Sequence, residues 1–377
     1  MLYGDFLVTA NAYLGSKPLR SLCYSYAALY IAHASATAGN IVIKRTTDGA
    51  TWNAVKTISD GSEAWDNVAM CADGSAKKLH LVATRASGQQ YWVYNFATDT
   101  LAEVAGLPAG SNYHVCHDGS GLQVAYKSGY DILYSYYNEG LASWDAAVKI
   151  AQRENSYGCD LFDFRGSGSA SFSKVALTQI NSSINPRVEY REESSGTWPV
   201  VWETYIDGTG LGVVPYLTRH MSFVNDSFYS DNDYIKYYDK EDGTWAWYQK
   251  KISERNDVPG YAEVRGVALG LAGPGVPIMY CIHKINAGDY YGLGYFASWN
   301  NSDDDYDLSG PTDYYVLASS PSSGGISNIK MMAMPETDNA FAVVYYNPDD
   351  GLHVHFWGFV LADNKWTWAS FMTSGES

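Results

Sequence analysis

Apolar and polar residues alternate with a period of two along most of the chain, in short runs bounded by Gly, Asp, Asn and Ser clusters. That alternation predicts half-buried strands joined by tight turns. The pattern also repeats. Seven segments carry one apolar-rich strand: ALYIAHAS, KLHLVATR, GLQVAYKS, FSKVALTQ, RHMSFVND, VPIMYCIHK and NAFAVVYY. Each is followed by a strand, turn and Trp- or acid-bearing strand, beginning at Asn40, Tyr91, Asp131, Arg187, Tyr234, Tyr290 and Leu352. The unit recurs about every 43 to 60 residues, and no stretch of similar strength reads as a helix. A repeat of this length with four antiparallel strands predicts one all-β fold, a β-propeller with seven four-stranded blades. A straight solenoid is the alternative, and the repeat length suits a closed ring better.

The expected blades are 15–59, 60–107, 108–152, 153–206, 207–253, 254–309 and 310–377, with an extra strand at 5–13 available to complete the last one. Cys23, Cys71, Cys116 and Cys159 fall 48, 45 and 43 residues apart, each expected in or beside an innermost strand as compact apolar filling. With Cys281 the count is five, and no CxxC spacing suggests zinc or a disulfide framework.

Composition agrees with strands: 46% of residues are hydrophobic, with 32 Tyr and 12 Trp among 377. The 25 basic residues face 41 acidic ones, and a net charge of −16 would repel nucleic acid and anionic lipid. No run approaches the roughly 20 apolar residues of a spanning helix, so no membrane insertion is expected. The opening MLYGDFLVTANAYLG lacks the basic start and apolar run of a secretory signal. The compartment stays open, with an extracellular or virion-associated protein favoured over a cytoplasmic one.

The segment Arg45-Thr46-Thr47-Asp48-Gly49-Ala50-Thr51-Trp52 resembles the Asp-box, or BNR repeat, of sialidase-like propellers, with one residue missing between Asp and Gly. Echoes lie at Glu241-Asp242-Gly243-Thr244-Trp245, Ser195-Gly196-Thr197-Trp198 and Asp363-Asn364-Lys365-Trp366. The resemblance implies a folding device, in which the Asp bonds turn amides and the Trp packs between blades. In that family the active site lies on the opposite face and needs three Arg, a Tyr nucleophile with a Glu, and an Asp. Arg20, Arg165 and Arg265 are available here, but the Arg-Ile-Pro signature is absent and six blades are usual there. Sialidase activity is therefore not the expectation.

Loops joining one blade's fourth strand to the next blade's first should share an edge with the loops between second and third strands, where propeller ligands bind. Trp65, Tyr113, Tyr157, Tyr261 and Tyr314 stand near the expected starts of innermost strands, beside Asp66, Glu154, Glu263, Arg20 and Arg265. Aromatic rings beside charged groups suit the CH-rich faces and hydroxyls of a sugar; the bland alternative is core packing. Three function classes follow. The first is a non-catalytic propeller recognising a glycan or surface receptor, such as a virion or cell-surface adhesin. The second is a glycosidase or polysaccharide lyase with Asp66, Glu154 or Glu263 as acid–base groups, because two facing carboxylates suffice for glycoside hydrolysis. The third is a structural part contacting protein partners. No cofactor is expected: His114 and His117, or His353 and His355, lack an identifiable third ligand. Asp303, Asp305 and Asp307 could hold Ca²⁺, but the Gly and terminal Glu of an EF-hand are missing and a solvated acidic turn is favoured.

Overall fold

The computed structural model describes residues 2–13, 17–18, 21–26, 28–73, 75–152, 158–166, 174–180 and 187–205, and beyond these chiefly the backbone of strands between 210 and 368. The described strands form seven antiparallel sheets, and among them no helix is long and apolar enough to cross a membrane. In chain order, the first sheet holds Leu22–Ser25, Ala28–Ala34, Asn40–Thr46 and Asn53–Ser59. The second holds Asn67–Asp73, Lys78–Arg85, Gly88–Asn95 and Thr100–Glu103. The third runs Ser111–His117, Gly121–Ser128 and Asp131–Asn138, with its outer strand split into Ser143–Trp144 and Val148–Ala151. Cys159–Arg165, Val175–Ile180, Arg187–Glu192 and Val200–Tyr205 make the fourth, and four strands between Gly210 and Lys251 the fifth. This is a β-propeller architecture, built from the repeat that the alternation announces.

The chain divides into two compact units. One comprises Met1–Pro18, Leu22–Ala64 and Ile252–Ser377, the other Leu19–Ser21 and Trp65–Lys251. Within the second unit, innermost strands succeed one another: Ser111–His117 lies against Asn67–Asp73, Cys159–Arg165 against Ser111–His117, and Gly210–Tyr216 against Cys159–Arg165. Strands near the middle of such a stack bury both faces. Ala28–Ala34 is buried at every position and Lys78–Arg85 at all but its ends, whereas the outer strands Asn53–Ser59 and Thr100–Glu103 are mostly exposed. The strand with the most continuous apolar run is thus the second, and clean alternation marks the third, as in Asn40–Thr46.

Large aromatics in or just before the outer strands weld neighbouring sheets. Trp144 meets Tyr91 of the second sheet edge-on at 5.9 Å, and Trp198 of the fourth reaches Tyr134 of the third at 5.6 Å. Trp52 joins Leu22, Leu29 and Ile31 of its own sheet to Val344 and Tyr346 of the seventh. The turn before Trp52 shows how such a residue is aimed. Asp48 Oδ1 accepts from the amides of Ala50 and Thr51 at 2.9 and 2.7 Å and from the Thr46 hydroxyl at 2.8 Å, while Thr46 Oγ1 accepts the Gly49 amide. At Ser195-Gly196 the same position is turned differently: both residues take positive φ, and Glu193 accepts the Gly196 amide at 2.7 Å. The box residues 242–243 and 363–364 lie outside the described residues.

Two expectations shift. Tyr315–Ser320 does not open the last repeat; it pairs with Tyr290–Gly294 as the outer part of the sixth sheet, whose fourth strand is split as in the third. The innermost strand of the seventh sheet is Ser327–Met334, so Tyr314 precedes an outer strand rather than an innermost one. Cys23, Cys71, Cys116 and Cys159 do lie in the first strands of their sheets, though at different heights: Cys71 and Cys116 pair with His80 and Gln123, whereas Cys159 opens its strand opposite Ile180. Finally, Leu2–Thr9 pairs antiparallel with Gly351–Ala362, bringing Phe6 opposite Val354 and Thr9 opposite Leu352.

Candidate functional site

The loop edge of the second to fourth sheets is the part of the expected ligand face that the described residues cover. Its first two aromatics turn inward. Trp65 is 1% exposed, edge-on to Trp92 at 5.4 Å, with the Arg85 guanidinium 4.4 Å over its ring. Tyr113 is 2% exposed, stacked on Tyr126 at 5.2 Å, and donates its hydroxyl to the Pro108 carbonyl. Gly110 permits that stack, because a Cβ there would stand 2.5 Å from the Tyr126 ring. Burial pushes the Tyr113 hydroxyl up out of the physiological range. Neither ring offers a face to a ligand, and each is a packing residue whose apolar area outweighs any loop contact.

Asp66, next to Trp65, is exposed and its amide donates to the Thr84 carbonyl. Of the other expected site residues, Arg20, Glu154, Tyr157 and Tyr314 lie outside the described residues, as does Asp303. Tyr261, Glu263 and Arg265 belong to the backbone of Tyr261–Leu271, and Asp305 and Asp307 to the short strand Asp305–Asp307, with side chains outside the description.

What the edge does display is Tyr130, absent from the sequence candidates. It sits in the two-residue turn between Gly121–Ser128 and Asp131–Asn138, with Gly129 at φ +59° in the first central position, the position a II′ hairpin reserves for glycine. Its side chain is 54% exposed beside Gly158, which leads into Cys159–Arg165. Two ion pairs flank it: Lys127 with Asp160, and Lys149 with Asp131 at 2.9 Å. The Cys159 thiol donates to the Tyr130 carbonyl at 2.8 Å and is pushed up to about 11 by burial, so it pins the turn rather than acting as a nucleophile. An exposed phenol between two cation–carboxylate pairs can stack on an apolar ring face while the charges meet hydroxyls.

Buried charge elsewhere is structural in form. Glu189, fully buried, is gripped by Arg187 at 2.8 Å and by Arg191, all on one face of Arg187–Glu192. His114 and His117, paired in the sequence, part company: His114 faces Asp163 at 3.7 Å, and His117 faces Asp73 and Glu139. His353 is buried.

No family model matches the chain, and no curated protein matches it. Solved structures do. The β-propeller domain of Cps50 (Swd1) from Myceliophteria thermophila is 9% identical with a TM-score of 0.53, covering 92% of this chain and 98% of that one. The N-terminal domain of Nup159 is 11% identical with a TM-score of 0.50 over 94% of both chains. The WD40 domain of Toxoplasma gondii coronin is 10% identical, TM-score 0.50, over 94% and 84%. At such identities the likeness is one of fold: this chain is a β-propeller.

Proposed function

We propose that this propeller is a non-catalytic recognition module that binds glycans through the loop edge carrying Tyr130. The observation behind this reading is the exposed Tyr130 ring set between the Lys127–Asp160 and Lys149–Asp131 pairs. A Tyr ring offers an apolar face and a polar tip at low conformational-entropy cost, which suits it to a recognition surface. Here the ring is held by a glycine turn that positions it without burying it. In the sequence, Glu154 and Tyr157 fall between the strands Val148–Ala151 and Cys159–Arg165.

The test is a glycan and polysaccharide panel with product release assayed on every binder. Binding without turnover is expected, weakened about tenfold or more by Tyr130→Ala, consistent with an aromatic contact worth roughly 1 to 2 kcal/mol. Because Tyr130 lies outside the core, its thermal midpoint should not move. Turnover abolished by Glu154→Gln would replace this reading with a glycosidase or lyase. A silent panel would leave the protein as a structural part of an assembly.

A further inference from the structure

The opposite end of the second and third sheets, where first strands meet second and third meet fourth, carries a different chemistry. Asp73 closes Asn67–Asp73, His80 is the third residue of Lys78–Arg85, His117 closes Ser111–His117, and Glu139 follows Asp131–Asn138. Donor atoms of Asp73, His80 and His117 lie within 4.8 Å of one another. The two imidazoles stack, centroids 4.4 Å apart and planes 26° apart. Their Nε2 atoms stand 3.5 Å (His80) and 3.4 Å (His117) from the same oxygen, Glu139 Oε1. Both Nε2 atoms are buried, and neither makes a hydrogen bond.

That last point separates this cluster from an ordinary buried polar network. Buried nitrogens that face a carboxylate are normally aligned to donate to it. Here they crowd one oxygen out of line, at a spacing close to the roughly 3.3 Å edge of a tetrahedron with bonds of about 2.0 to 2.1 Å. Of the remaining ring nitrogens, that of His80 already has an outer partner, while that of His117 accepts the Gly119 amide at 3.1 Å with a carboxylate close by. His80 Nδ1 meets the Tyr91 hydroxyl at 2.8 Å, and His117 Nδ1 lies 3.9 Å from Asp73 Oδ1. Asp73 is itself held by the Ser75 amide and hydroxyl at 2.9 Å. A carboxylate behind an imidazole orients it and raises its basicity toward a metal. Lys78 Nζ takes Glu139 Oε2 at 3.1 Å, which leaves Oε1 as the single inward donor.

We propose that His80 Nε2, His117 Nε2 and Glu139 Oε1 bind one divalent ion of the zinc class, with Asp73 and Tyr91 as their outer partners. Two imidazoles and one carboxylate suit a first-row transition ion better than Ca²⁺ or Mg²⁺, which prefer all-oxygen shells. Glu139 and Lys78 are partly exposed, at 26% and 31% of their side chains, so the cluster is reached from solvent on that side. Loading has one local cost. The Gly119 amide now donates to His117 Nδ1 at 3.1 Å, and the ring proton must move to that nitrogen and turn to Asp73.

The experiment strips the full chain with a chelator and titrates it with Zn²⁺ by calorimetry and with Co²⁺ by visible absorption. One equivalent should bind, and the Co²⁺ form should show the intense absorption of a four-coordinate site. His117→Gln and Glu139→Gln should each weaken binding about tenfold or more. Lys78→Gln should tighten it severalfold by removing a cation beside the ligand carboxylate. Glu139→Gln sits at the solvent edge, so it carries the test should His117→Gln fail to fold. Absence of stoichiometric binding by the parent chain, or equal binding by Glu139→Gln, overturns the proposal.

Discussion

At the scale of single residues, two groups tie stability to pH in ways that can be measured. Asp48 gives its carboxylate to the Thr51 amide and other turn donors, which hold it down at about 2 against burial. A depressed carboxylate contributes stability that is present above its unfolded value near 4 and lost as pH falls through about 2. Asp48→Ala should cost about 1 kcal/mol at neutral pH in a denaturant titration, since solvent competes for so exposed a turn. The difference between the two proteins should vanish in that acid window. His33 works at higher pH. Burial, and secondarily Lys44, lowers it to about 4, while its Nδ1–H donates to the Ala34 carbonyl at 3.0 Å. The unfolded chain takes up its proton first, so stability should drop between about pH 6.5 and 4, by no more than about 1.4 kcal/mol per pH unit from this group. His33→Leu should flatten that slope. Single residues are also the scale at which the sequence is hardest to read. Trp65 and Tyr113 look alike in a loop whether they face a ligand or the core, and burial is decided by neighbours such as Trp92, Arg85 and Tyr126 that the local pattern does not reveal. Tyr130 was legible only as turn punctuation after Gly129. His80 and His117 stand 37 positions apart in different repeats, so nothing short of the fold brings their Nε2 atoms to one oxygen.

At the scale of strands and sheets, much more was readable, because a period of two is a local signal. The third strands of all seven described sheets lie where alternation and turn residues put them, and so do the fourth strands with one exception. The exception has a physical cause. In the sixth sheet the fourth strand pairs in two parts, Asp305–Asp307 and Tyr315–Ser320, and the apolar Tyr315-Val316-Leu317 of the second part looks in isolation like the start of a new repeat. The tryptophans in or just before the outer strands are the welds between these elements. Trp198 is 4% exposed and packs with Tyr134 and Phe164 from two sheets. Trp198→Ala should destabilise by roughly 3 to 5 kcal/mol, and Trp198→Phe by distinctly less, as read from the denaturation midpoint.

At the scale of the whole molecule, the longest-range feature is the pairing of Leu2–Thr9 with Gly351–Ala362. Removing residues 2–9 would leave six register partners of that strand, from Leu352 to Phe359, without their bonded neighbour. An uncovered strand edge recruits other chains. The truncated protein should therefore sediment as oligomers or aggregates where the parent does not, and a synthetic peptide of residues 2–9 added during refolding should reduce the aggregated fraction. The same pairing sets a clock on biosynthesis. A ribosome adding about 5 to 20 residues per second needs roughly 17 to 70 seconds to travel from the first of these strands to the second. Throughout that interval the strand bearing Phe6 and Val8 has been made but the strand it pairs with has not.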